Sequence, residues 1–165
     1  MKLVIGTRRW LGPEWTHVDI DPRPLLDPDG GLHPVDVVGD ARAVPLPDGC
    51  AEYVYTQECL EHFPWRETRD VMAEWVRLLA VGGTLRVEVP DFLLACNQVL
   101  SNDTEYMDQA IQQIIFGGQE NEFDFHYTGL TPRILTRHMT ELGLDVKHIA
   151  RGDEVGYLQV DGRKT

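Results

Sequence analysis

Apolar residues come in short runs over the first part of the chain and in a three-and-four rhythm later. Lys2 to Ile5 is a brief apolar run reaching Gly6, and Thr16-His17-Val18-Asp19-Ile20 is a second that ends among acids; both predict strands. Asp21 to Pro34, rich in Pro, Gly and Asp, predicts a surface connection. Val35-Asp36-Val37-Val38 predicts a third strand stopped by Gly39-Asp40, and Ala51 to Thr56 a fourth after the turn Pro45-Leu46-Pro47-Asp48-Gly49. From Arg66 to Ala80 the residues Val71, Met72, Trp75, Val76, Leu78 and Leu79 share one helix face, with Gly82-Gly83 as its stop. Thr84 to Val89 alternates as a strand closed by Pro90-Asp91. Phe92 to Leu100 and Tyr106 to Phe116 predict helices, the second opened by a capping box of Asn102 and Glu105. Thr131-Pro132 starts another helix that Gly143 stops, and Leu144 to Ala150 with Glu154 to Val160 predict a hairpin turning at Arg151-Gly152-Asp153. Strands separated by helices, with an antiparallel pair at the end, predict a three-layer α/β sheet.

The length of 165 residues fits one domain spanning 1–165, with enough core to need neither disulfides nor structural metal. Cys50, Cys59 and Cys96 form no C-x-x-C pair, so three reduced thiols and a cytoplasmic setting are expected, with no metal. The apolar stretch after Met1 is too short for a signal-peptide core, and no segment approaches the ~20 apolar residues of a membrane helix. A net charge of −12 disfavours nucleic acid and anionic membranes as partners. Ser101 is the only serine, which removes G-x-S-x-G hydrolases, and no G-x-x-x-x-G-K-[ST] loop or H-E-x-x-H helix is present. Trp10, Trp15 and Trp65, bulky residues near loops, are candidates for a dimer contact, with the oligomeric state left open.

Ligands of an open parallel sheet bind beyond the carboxyl ends of its strands. Those ends are Gly6-Thr7-Arg8, Asp19-Ile20-Asp21, Gly39-Asp40-Ala41, Thr56-Gln57-Glu58 and Pro90-Asp91. Gly6 permits close backbone approach, an acid ending the second strand can accept both hydroxyls of a ribose, and Asp40-Ala41 can offer a carboxylate and an N–H to an adenine.

The runs LVIG…GPEWTHVDID, VVGDARAVPLPDGCAEYVYTQECLEHF, EWVRLLAVGGTLRVEVPD and IFGGQ…FDFHYTGLTPRIL…LGLDV resemble the small class I S-adenosylmethionine-dependent methyltransferases of the type 11 kind, in the expected order from residue 2 to about 150. The resemblance implies a doubly wound, Rossmann-like, mostly parallel sheet, S-adenosylmethionine as cofactor, and methyl transfer to a small-molecule or polymer acceptor. It implies Gly6, Thr7 and Arg8 around the methionine part, Asp19 and Ile20 at the ribose, Asp40 and Ala41 at the adenine, and Gln57 at the end of strand four. His126 matches a histidine of the family's later segment and is a candidate base, with a loop-anchoring role as the other reading. Asp91 and Tyr127 are candidate substrate contacts, and Glu61 and His62 are expected to hold the loop after strand four.

The chain departs from that pattern in its first loop, where Gly6-Thr7-Arg8-Arg9 replaces a glycine-rich turn. Nine residues, Thr7 to Trp15, separate the first two strands, too few for the usual parallel crossover, so the first helix is expected to be shortened or absent. Arg8 is either a partner for the cofactor's carboxylate or a solvated loop arginine. The same loop lacks the G-x-G-x-x-G of a nicotinamide oxidoreductase. A degenerate cofactor-binding or regulatory module remains as the alternative to an enzyme. The acceptor is open: a hydroxyl or amine of a saccharide, peptide or small molecule.

Overall fold

The computed structural model describes residues 1–101, 112–151 and 156–165. Its strands are β1 (Lys2–Ile5), β2 (Trp15–Asp19), β3 (Leu25–Leu26), β4 (Leu32–His33), β5 (Val37–Val38), β6 (Ala51–Gln57), β7 (Leu79–Pro90), β8 (Leu144–Arg151) and β9 (Tyr157–Lys164). Its helices are α1 (Thr68–Leu78), α2 (Phe92–Ser101) and α3 (Pro132–Glu141), with a 3-10 turn at Leu60–His62 and helical residues at 112–116. Seven strands form one sheet in the order β5-β2-β1-β6-β7-β9-β8, parallel up to β7 and antiparallel through β9 and β8. The order reverses at β1, so the switch point lies between β1 and β6, where the cleft of a doubly wound sheet opens.

One face of the sheet carries the apolar core. Leu3, Ile5, Val18, Val54, Leu85, Val87, Leu158 and Val160 point there and meet Val71, Met72 and Trp75 of α1 and Leu135 and Met139 of α3. Trp75 is fully buried and donates its Nε1–H to Ala41 O at 3.0 Å, tying α1 to the loop after β5. The opposite face is polar and aromatic: Lys2, Trp15, Tyr53, Tyr55, Arg86 and Glu88 align on it through the strand registers. Arg86 makes two bonds to Asp161 at 2.7 and 2.9 Å, and Trp15 meets Tyr53 edge-on at 5.7 Å. A crossover helix would find few apolar side chains to bury against there, and none forms between β1 and β2.

Besides β7, which begins at Leu79 where the alternation predicts Thr84, and β9, which continues to Lys164 past the expected end at Val160, three elements differ from the sequence expectation. The stretch 21–34 contains the β3–β4 hairpin, organised by Asp27, whose Oδ1 accepts from Asp29 N and Gly31 N while its Oδ2 meets His33 Nε2. The third strand shortens to Val37–Val38, paired with Val18 and Asp19. Gly82-Gly83 does not stop α1, which ends at Leu78; the glycines lie inside β7. A Cβ at Gly83 would crowd Glu52 O at 3.1 Å and Ala80 O at 3.0 Å, so glycine admits the close passage of β7 beside β6. Lys164 instead finishes α1, donating to Val76 O and Leu79 O at 2.8 and 2.7 Å. The Asn102–Glu105 capping box, most of the helix expected at 106–116, and the hairpin turn at Gly152-Asp153 lie outside the described residues.

Candidate functional site

A cavity of about 1020 Å³ opens at the carboxyl ends of β1, β2, β5 and β6. Gly6, Thr7, Arg8, Asp19, Ile20, Asp40, Ala41 and Gln57 all line it, and His126 and Tyr127 reach it from the segment before α3. β1 ends at Gly6 with φ 74°, a left-handed turn that glycine adopts without strain; a Cβ there would collide with Cys59 Sγ. Bare backbone therefore forms the edge of the cavity.

Asp19 closes β2. Its side chain is buried, Oδ1 accepts from Asp21 N at 2.8 Å, and Arg8 Nη1 stands 3.7 Å from Oδ2. Burial raises its pKa, opposed by the Asp21 N–H and by Arg8. Asp40 closes β5 with Arg42 folded onto it: the guanidinium meets both carboxylate oxygens at 2.8 to 3.1 Å and Arg42 N donates to Oδ1, and the first of these contacts lowers the Asp40 pKa. Gln57 at the end of β6 donates to Glu88 Oε1 at 2.9 Å. The next residue, Glu58, holds φ 50°, an unusual conformation for a non-glycine at the rim of a site.

Arg8 lines the cavity with a partly exposed guanidinium that is already engaged by main chain. Its guanidinium donates to Asp21 O, Arg23 O and Pro24 O at 3.2, 2.9 and 3.0 Å, and so straps the loop after β2 to the end of β1. Asp91 is also corrected: it lies outside the cavity, fully buried, accepting from Leu94 N at 3.1 Å at the start of α2 and pairing with Arg151.

On the side of the cavity that carries His62, His126 and Tyr127, main chain stitches two segments together. Glu61 O accepts from Tyr127 N and Thr128 N at 2.8 and 3.2 Å, and Thr128 Oγ1 donates to Phe63 O at 2.7 Å. His62 Nδ1–H donates to Phe125 O at 3.1 Å and His126 Nδ1–H to Ile114 O at 3.0 Å, and the rings meet edge-to-face with centroids 4.9 Å apart. The loop-holding role expected for Glu61 and His62 is present in these bonds. Sequence reasoning missed the Glu61 carboxylate itself, which is buried with neither oxygen hydrogen-bonded among the described residues. Burial pushes its pKa up to about 8, with the nearby N–H groups of Glu61 and Cys59 offsetting part of the rise. Only the apolar Cys59 and Leu60 ahead of it hinted at burial.

The profile of the family described as "Methyltransferase domain" matches residues 6–87, about half of the chain, from the turn that follows β1 into β7. The chain belongs to the class I S-adenosylmethionine-dependent methyltransferases. Solved structures of the same fold include the 1,6-didemethyltoxoflavin-N1-methyltransferase of Burkholderia thailandensis, with bound 1,6-didemethyltoxoflavin and S-adenosylhomocysteine. It is 14% identical with a TM-score of 0.60, over 99% of this chain and 71% of that one. A S-adenosylmethionine-dependent methyltransferase of Methanosarcina mazei shares 14% identity and a TM-score of 0.62 over 98% and 91%. One from Archaeoglobus fulgidus shares 14% and 0.59 over 98% and 85%. No curated protein matches the chain in sequence. The cofactor of this methyltransferase is S-adenosylmethionine, and the cavity suits it. Gly6 leaves room for close approach, and carboxylates outnumber guanidiniums along the wall, as a ligand bearing a sulfonium and an ammonium requires. No helix among the described residues is long and apolar enough to cross a membrane.

Proposed function

We propose that this methyltransferase holds its cofactor along the ends of β1, β2, β5 and β6 and methylates a hydroxyl or amine of a small molecule presented by the segment 117–131. The observation that carries this reading is one cavity lined both by Gly6, Asp19, Asp40, Ala41 and Gln57 and by His126 and Tyr127. Asp19 would accept the ribose hydroxyls with the oxygen not already held by Asp21 N. Asp40, kept ionised by Arg42, and Ala41 would meet the adenine edge. When bound, the cofactor supplies a methyl group already activated by its sulfonium, so the chain's contribution is alignment and a place for the acceptor's proton.

His126 would take that proton. Its Nδ1–H is spent on Ile114 O, which leaves the Nε2 lone pair as the acceptor in the neutral ring. Tyr127, more than half exposed, and Phe63 give the acceptor an apolar wall beside it. The 1,6-didemethyltoxoflavin bound in the Burkholderia thailandensis structure supports a small molecule over a polymer. The test is His126→Ala assayed with S-adenosylmethionine against panels of hydroxylated and aminated heterocycles and saccharides. Turnover on the acceptor found should drop by roughly 10²- to 10⁴-fold while S-adenosylhomocysteine affinity holds. Full turnover in the folded variant contradicts the role.

A further inference from the structure

Beneath the acceptor side of the cavity three ligand-bearing side chains converge without satisfying one another. Glu61, His62 and His126 each offer an atom, and these atoms lie within 4.8 Å of one another. Glu61 is 2% exposed and neither of its oxygens has a hydrogen-bond partner among the described residues. A buried carboxylate in that condition carries a desolvation cost that a protein normally offsets with a donor or a cation. The nearby N–H groups of Cys59 and Glu61 offset only part of that cost, and the two imidazoles spend their Nδ1–H groups on Phe125 O and Ile114 O. Those carbonyl bonds fix the tautomer with Nε2 as a lone pair, the arrangement found behind metal-bound histidines. Glu58 and Asp124 add negative potential around the cluster.

We propose that Glu61, His62 and His126 bind a divalent transition-metal ion whose remaining coordination positions face the cavity. Two imidazoles and one carboxylate select zinc, manganese or iron over calcium and magnesium, which prefer all-oxygen ligands. Ligand atoms around zinc stand about 3.3 Å apart for bonds near 2.0 Å, so the side chains close in by at most about 1.5 Å. His62 and His126 both line the cavity, which puts the ion's open side toward the acceptor. There it would hold the acceptor's oxygen or nitrogen and lower its pKa, so that the proton displaced by methylation passes to solvent water in the cavity. In that form the inference deepens the acceptor-side reading and rests on it, because the His126 lone pair then binds the ion instead of the proton.

The experiment uses the full chain, stripped with a chelator, and titrates Zn²⁺ and Co²⁺ alone, without cofactor or acceptor. One equivalent of Co²⁺ should give visible absorption bands that Zn²⁺ abolishes, and Zn²⁺ should raise the melting temperature. His126→Ala and Glu61→Gln should each weaken Zn²⁺ binding at least tenfold and remove the melting shift. Should Glu61→Gln fail to fold, His126→Ala decides, since its loop lies at the cavity rim. No bound equivalent in the wild type, or an equivalent that survives unchanged in the folded variants and so belongs to other histidines, overturns the site. S-adenosylhomocysteine titrated into the same samples separates the two readings: cofactor binding without metal binding sinks the ion and leaves the methyl-transfer site standing.

Discussion

Gly6 joins backbone conformation to the cofactor cavity at a single residue. At φ 74° an L side chain is strained, and the space a Cβ needs is filled by Cys59, itself buried against the core. Gly6→Ala should therefore cost about 2 to 4 kcal/mol, combining left-handed strain with overpacking. Urea unfolding checks this, and adding Cys59→Ala separates the parts: the double variant should regain the overpacking share while the strain persists. A double variant no better than Gly6→Ala would mean Cys59 is not the obstacle. Gly6, Asp19, Asp40, Ala41 and Gln57 could be found from sequence because strand ends follow from the apolar runs, and the cleft follows from strand ends. Asp91 was misplaced by the same logic: it also ends a strand, but β9 crosses beside β7 there and Arg151 seals it. The Glu61 carboxylate was not legible because its isolation depends on residues 125–128 packing over it some 65 positions later.

At the scale of elements, loops held by arginines stand where helices are missing. Arg8 pins the segment 21–24, and Arg77 of α1 donates to Val44 O and Leu46 O at 3.0 and 2.9 Å, holding the turn before β6. Arg8→Ala should cost roughly 1 kcal/mol of stability, discounted for its half-exposed guanidinium, and weaken S-adenosylhomocysteine binding several-fold through the loosened Asp19–Asp21 corner. Lysine should not restore either, since one ammonium cannot reach three carbonyls in fork geometry. Calorimetry and a melting curve on both variants give the answer, and wild-type values in Arg8→Ala would show the strap to be idle. The long elements were legible: the stripe of α1 and the alternation of β7 repeat often enough to declare a period, and Thr131-Pro132 marks the start of α3. The β3–β4 hairpin was not, because two-residue strands have no period, and what holds them is Asp27 and the stacking of Trp10 on His33 at 3.7 Å. The missing first helix was legible from loop length alone.

Proton balance is a property of the whole molecule, and His138 shows its sign. It is buried on α3, its Nδ1 lacks a hydrogen-bond partner among the described residues, and Glu141 stands 3.8 Å away. Burial lowers its pKa, aided by Arg137 and Arg69 and opposed by Glu141. The unfolded chain then takes the proton first as pH falls, so this group's stabilisation is full above about pH 6.5 and is lost as pH drops toward the folded value. His138→Met removes the effect: the stability of wild type relative to that variant should fall between pH 7 and pH 5 in urea unfolding, and a constant difference would contradict it. Across the sheet the apolar core sits on one face while the cavity occupies the carboxyl ends, so the site can be altered without unfolding the chain. That separation makes Asp19 the most direct probe of where the cofactor lies. Calorimetric titration of S-adenosylhomocysteine into wild type and Asp19→Ala should show one site in the former. The variant should lose about 1.5 to 3 kcal/mol of binding, roughly 10- to 150-fold, while it still folds and melts in one cooperative transition. Equal affinity in a folded Asp19→Ala protein would place the cofactor elsewhere and contradict the account.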